Sequence, residues 1–236
     1  MKSLCLVLVA ALICCSYLPA QTTEGAASAP IQQEDEQFKA ADQSLLLIPT
    51  AYTMPQGKST FTDYELIIVQ YAYGLTPRTH ISIGMPFPVA KEMFDYSALG
   101  VKQNYLKADK LQAAAIVSYN PHFHTGFFGS AFSYGNPKTS LHADIFWSTE
   151  FARLQTSLQE YLICLGCITA LSPRVSLMTE IISYSELLKE SANGIWTIGV
   201  RVKGDRVSWD IGGIRLLQDN PQSLILIPLL KVSVLF

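Results

Sequence analysis

The chain has 236 residues, of which 49% are hydrophobic and only 15% charged, with a formal net charge of -2 and a mean hydropathy of +0.23. Soluble domains average about 25% charged residues, yet beyond residue 20 no apolar run approaches the roughly 18 residues of a membrane-spanning helix, so the apolar surface must be spread over many short segments. Nucleic acid is excluded as a partner, because counterion release needs clustered Lys and Arg and the sequence has no such cluster.

Residues 1–20 read as an export signal. Lys2 gives a positive start, Leu4 to Cys15 an apolar stretch of the right length, and Leu18-Pro19-Ala20 a small-residue end suited to cleavage. Lipid attachment fits poorly, since Cys14 follows Ile13 rather than a small residue. Residues 21–42 are mostly polar, small and acidic, and predict a flexible periplasmic lead-in. Residues 43–236 are predicted to form the folded domain.

That domain is a series of alternating segments. Trp196, Ile198, Val200 and Val202 oppose Thr197, Gly199, Arg201 and Lys203; Leu141, Ala143, Ile145 and Trp147 oppose Ser140, His142 and Asp144. Period-two contrast of this kind marks a strand between an apolar and a polar medium. Twelve segments are read, at 43–50, 59–73, 78–86, 95–106, 110–120, 125–135, 139–148, 159–170, 174–185, 194–203, 206–217 and 223–236, with ten strands as the alternative count. Tight turns at 74–77, 107–109, 135–137, 171–173 and 204–205 carry Gly, Pro, Asn or Asp, and longer connections alternate with them. Short turns at one rim and longer loops at the other predict an all-β, antiparallel, up-and-down transmembrane β-barrel with its short rim periplasmic. Cys164 and Cys167, three apart on a strand, would point to opposite faces and cannot share a bond or a metal.

The chain ends LLKVSVLF, with Val232, Val234 and Phe236 on one face and Lys231 and Ser233 on the other. This resembles the C-terminal signal by which outer-membrane barrels are handed to the barrel-insertion machinery, although the usual glycine is absent. Segments such as LLLIPTAYTMPQGKS, YAYGLTPRTHISIGMPFP, YSALGVKQNYLKADK and ITALSPRVSLMTE resemble uncharacterised outer-membrane β-barrel proteins of Bacteroidota-type bacteria. The resemblance is one of style across the mature chain; it implies the fold and an outer-membrane location, and it carries no catalytic residues.

With the apolar face on lipid, the lumen-facing candidates are His80, Lys102, Asn104, His142, Asp144, Glu180, Arg201, Asp210 and Lys231. Their mixed charges allow either a plugging polar network or a narrow water-filled pore. Passive passage of small solutes is the leading expectation. A closed structural or surface-binding barrel is the alternative, and a soluble periplasmic barrel with the alternation inverted is a third. Enzyme chemistry is not expected, an outer-membrane hydrolase being the minor alternative: Ser82 with His80, and Ser140 with His142, share a face but should be too far apart to form a nucleophile–base pair unless the backbone bends. His122 and His124 in a loop supply two ligands where zinc wants three or four. No cofactor and no metal are expected.

Overall fold

The structure is a computed structural model and describes residues 38–87, 90–150, 160–184, 194–217 and 226–236. The expected export signal, residues 21–37 of the lead-in, and most of the long connections near 149–158, 186–193 and 218–222 lie outside the described residues.

Twelve strands run β1 (Ser59–Tyr64), β2 (Ile68–Thr76), β3 (Thr79–Pro86), β4 (Ala98–Lys107), β5 (Leu111–Asn120), β6 (Thr125–Asn136), β7 (Thr139–Glu150), β8 (Glu160–Ala170), β9 (Val175–Tyr184), β10 (Gly194–Lys203), β11 (Val207–Leu217) and β12 (Ile227–Leu235). Each pairs antiparallel with its sequence neighbours, and β1 pairs with β12 from Thr60↔Leu235 to Tyr64↔Lys231, which closes the barrel. Closure removes the two sheet edges that an open meander would leave unpaired. A 3-10 helix at Lys91–Tyr96 interrupts the β3–β4 connection.

The strand count agrees with the sequence reading, but two of its boundaries do not. Residues 59–73 hold β1, a turn and the start of β2. Glu65 and Leu66 make that turn with φ of 57° and 60°, and the Asp63 side chain accepts the Leu66 N–H at 2.9 Å. No Gly, Pro or Asn marks the site, and Asp63 is its one turn-type residue, a weaker signal than the other turns carry. Residues 43–50, expected as the first strand, form no strand of the wall; they lie inside the barrel.

The outer surface is apolar. Phe61, Ile81, Val101, Val117, Phe132, Leu141, Leu165 and Ile211 are all exposed. Tyr73, Tyr105, Tyr134, Trp209 and Phe236 face outward toward the tight-turn rim; Trp147, stacked on Phe128 with ring centroids 5.7 Å apart, lies toward the long-loop rim. Inside, the polar side chains of β3, β4, β7, β10 and β11 point inward, as the alternation predicts. On β8 and β9 the inward face is partly apolar as well: Cys164, Ile168, Met178 and Ile182 are buried in one cluster with Leu45, Leu46 and Ile48. Cys164 is buried and Cys167 half-buried.

Gly135, at the end of β6, has φ of +121°, and a Cβ there would come 2.3 Å from the Thr139 carbonyl oxygen. The β6–β7 turn therefore depends on glycine. Gly135→Ala is expected to lower the unfolding free energy by about 1–3 kcal/mol, read by guanidinium titration of the detergent-solubilised protein. Gly57→Ala, where a Cβ meets nothing within 4 Å, should cost less.

Candidate functional site

Residues 38–54 enter the barrel from the tight-turn rim, turn near mid-depth and run back toward Ser59. The turn is held locally: Leu45 N–H donates to the Ile48 carbonyl at 2.8 Å and Thr50 N–H to the Gln43 carbonyl at 3.0 Å, with Ser44 bridged to Pro49. The entering limb is fixed by Asp42, whose carboxylate accepts the Lys39 N–H at 2.8 Å and lies 3.3 Å from Lys203 Nζ. An inserted hairpin this short cannot satisfy its own carbonyls and N–H groups, and the barrel supplies the partners.

The wall partners are mostly the residues singled out by the alternation. Lys102 Nζ donates to the carbonyls of Gln43, Thr50 and Tyr52 at 3.0, 2.8 and 3.3 Å. Asn104 donates to the Ala51 carbonyl at 3.1 Å, and His80 Nδ1 accepts the Met54 N–H at 3.2 Å. Glu180 accepts the N–H groups of Leu47 and Ile48 at 3.0 and 3.1 Å, and the Thr197 hydroxyl at 2.8 Å. Beside Glu180, on the strand that pairs with β9, the Arg201 guanidinium reaches the Ala41, Ser44 and Leu45 carbonyls at 2.9, 2.7 and 3.3 Å. Lys231 Nζ donates to the Leu45 carbonyl and to Ser44 Oγ.

Arg201, Asp210 and Lys231 form a row across three strands. Register puts Arg201 opposite Asp210 and Asp210 opposite Lys231. Asp210 takes the Arg201 Nε and Nη2 at 2.7 and 2.8 Å on its two oxygens and lies 3.0 Å from Lys231 Nζ. All three side chains are fully buried. Lys102, Arg201, Lys203 and Lys231 are buried together with Asp42, Asp144, Glu180 and Asp210, so the buried charged side chains among the described residues balance in number. A balanced set is what an enclosed lumen needs, because an isolated charge away from water is costly. Asp144 is buried between His142 and Phe146 on β7 and has no side-chain hydrogen-bond partner among the described residues.

His142 is bracketed by two serines, with Nδ1 2.8 Å from Ser133 Oγ and Nε2 2.8 Å from Ser140 Oγ. Ser140 and His142, expected to lie out of reach of each other, are therefore in contact, because the ring folds back along its own strand. Both ring nitrogens are occupied by hydroxyls, and Ser133 Oγ also accepts the Ala51 N–H at 2.8 Å. That geometry ties the returning limb of the hairpin to the wall. Ser82 and His80 make no such pair; His80 is spent on the hairpin.

His122 and His124 do not converge. His122 Nδ1 lies 3.5 Å from Asp95 Oδ1, and His124 Nδ1 pairs with Tyr119 Oη at 2.9 Å. Among the described residues no group of three or more His, Cys, Asp or Glu comes together. Val232, Val234 and Phe236 lie on the outer face of β12, opposite Lys231 and Ser233, and the Phe236 N–H donates to the Ser59 carbonyl at 2.8 Å.

Sequence reading missed Asp42, Gln43, Ser133, Ser140 and Lys203 as parts of this network. Some of it was within reach: Arg201 and Asp210 stand equally far from Asp205-Arg206, one residue beyond the turn read from the sequence, as Ser133 and His142 do from Pro137-Lys138. Counting outward from those turns pairs them.

No protein-family model and no curated protein matches the sequence. Among solved structures, it is similar to engineered variants of the porin of Rhodopseudomonas blastica. Two are 12% and 11% identical to it, each with a TM-score of 0.39. The likeness covers 72% of this chain and 55% of the porin, so it spans little more than half of that protein.

Asp210→Asn removes the only carboxylate in the buried row. It is expected to destabilise the protein by about 3–5 kcal/mol, measured by guanidinium unfolding. Asp205→Asn, at a carboxylate 92% exposed and 3.6 Å from Lys39, should change stability by less than about 1 kcal/mol.

Proposed function

We propose that this chain is an exported outer-membrane β-barrel kept closed to free diffusion by its own N-terminal hairpin, and that solutes cross only when the hairpin is displaced. The observation that carries the reading is the occupation of the lumen by residues 38–54, bound on opposite walls by Lys102, Glu180, Arg201 and Lys231. Twelve strands enclose more space than the eight whose side chains can fill a barrel unaided, and here the hairpin takes up part of that space. A pore open at all times is less well supported, since the hairpin stands in its path.

The membrane assignment follows from the radial order of the side chains. A barrel in water would bury Ile211, Phe132 and Leu165 and expose Arg201, Glu180 and Lys231; this one does the reverse. An apolar outer face with aromatic residues toward its rims suits a hydrocarbon layer and its interfaces. The C-terminal strand fits recognition by barrel-insertion machinery through Val232, Val234 and Phe236, and the export signal at residues 1–20 fits delivery to that machinery.

The hairpin's bonds are of a kind that can be exchanged. Leaving the lumen would strip Lys102, Arg201 and Glu180 of backbone partners, but water entering behind it would replace them. Displacement is thus less costly than extracting the same groups from a dry core.

In planar lipid bilayers the full chain should be close to silent, and the variant lacking residues 38–54 should show discrete conductance steps. Steady steps of equal size from both proteins would overturn the closed-barrel reading. A separate test addresses the membrane: Ile211→Lys places a charge on the outer face of β11, and it should destabilise the protein in phospholipid vesicles by about 2–4 kcal/mol if that site is near the midplane. An effect below about 0.5 kcal/mol, the range of ordinary surface substitutions, would argue against lipid at that face.

A further inference from the structure

The hairpin fills the lumen unevenly. On the β7–β12 side, its tip packs into Phe146, Leu162, Ile195, Ile214 and Leu229. On the opposite side a cavity of about 270 Å³ remains between the tip and the wall of β1–β5. It has room for several waters and lies just below the usual range of ligand pockets, about 300–1,000 Å³.

The cavity exists because three adjacent strands carry small inward residues. Register aligns Ser82, Gly100 and Ser118 in one row, and Gly84 with Ala98 in the next. A Cβ on Gly100 would sit 2.4 Å from Ser82 Oγ, so glycine there leaves the serine hydroxyl free to face the lumen. Gln70, opposite Gly84 on β2, adds an amide. The side chains of Gln70, Ser82 and Ser118 make no hydrogen bond to a described residue and are only half-buried, so solvent reaches them. The cavity's two cationic candidates are already engaged: Lys102 holds three hairpin carbonyls, and His80 Nδ1 accepts the Met54 N–H. Leu47 and Pro49 give the floor an apolar surface.

We propose that this cavity is a binding site for a small, uncharged, hydroxyl-rich solute of about monosaccharide size. Unpartnered neutral donors and acceptors around an apolar floor match a molecule with hydroxyl edges and a C–H face. Anions and cations find no free opposite charge there and would lose hydration on entering. Solute identity is set by this wall, and the site stands whether or not the hairpin is ever displaced.

The test is saturation-transfer NMR on the folded, detergent-solubilised full chain, with methyl glucoside, sorbitol and glucose 6-phosphate as probes. Methyl glucoside should receive saturation from the protein, and glucose 6-phosphate should receive much less. Gly84→Leu and Ser118→Leu fill the cavity from two strands; a Cβ at Gly84 meets nothing closer than the Val69 carbonyl oxygen at 3.9 Å, so the first should fold. Each should weaken methyl glucoside binding about tenfold or more while the barrel's unfolding midpoint stays close to that of the parent. Three results would overturn the proposal: no transfer to methyl glucoside or sorbitol from folded parent protein, transfer that survives both substitutions, or preference for the phosphorylated sugar.

Discussion

A short backbone hairpin inside a closed barrel has more carbonyls and N–H groups than it can pair with itself, and the barrel interior is organised around that deficit. Arg201 and Lys231 stand on either side of Asp210 and aim their remaining donors at the Ser44 and Leu45 carbonyls. Glu180 does the converse for the N–H groups of Leu47 and Ile48. The charged side chains thus act in two directions at once, pairing laterally along the wall and radially with the hairpin. Lateral pairing alone would close the charge balance but leave guanidinium and ammonium protons unsatisfied. Radial bonding alone would leave like charges facing one another. Together they allow ionised groups to sit at almost no exposure inside the wall.

This double use explains what the sequence made legible. Strict alternation in β10 and β11 identified the inward face, because Arg201 and Asp210 have to be separated from Val200, Val202 and Ile211 by the pleat itself. The tight turns were legible for a different reason: Gly, Pro, Asn and Asp fix backbone conformations that few other residues tolerate. The β1–β2 turn follows that rule only weakly. Glu65 and Leu66 adopt left-handed φ values with help from Asp63, and that single Asp is all that residue type offers to announce it. The twelve-strand total emerged from two boundary errors that offset each other, a hairpin read as one strand and an internal segment read as another.

Residues 43–50 show why the candidate site was harder to read than the wall. Leu45, Leu46, Leu47 and Ile48 form a continuous apolar run without period two, followed by Pro49. Such a run has no preferred outer face and belongs where it is surrounded. A continuous run can also be a buried strand, and residue pattern alone does not separate the two. Which wall side chains would hold its backbone was not encoded in the run at all, since carbonyl acceptors are the same for every residue. The inward candidates were legible as a set; their common partner was not.

The two sides of the lumen divide the work that a closed barrel has to do. One side is dense: Gly166 and Gly199 let Leu45, Leu46 and Ile48 approach the wall so closely that a Cβ on either glycine would meet a leucine Cδ1 within 3 Å. The other side is open, because Ser82, Gly84, Ala98, Gly100 and Ser118 add little volume. Packing on the dense side gives the hairpin a fixed position, and that position becomes the floor of the open side. A hairpin held only by hydrogen bonds to long flexible cations would shift among equivalent carbonyls and define no floor. Placing apolar contacts on one side and polar vacancies on the other lets a single inserted segment both occlude the barrel and shape the space above it. Any movement of the hairpin therefore changes passage and cavity together, through the same few contacts of Leu45 to Pro49.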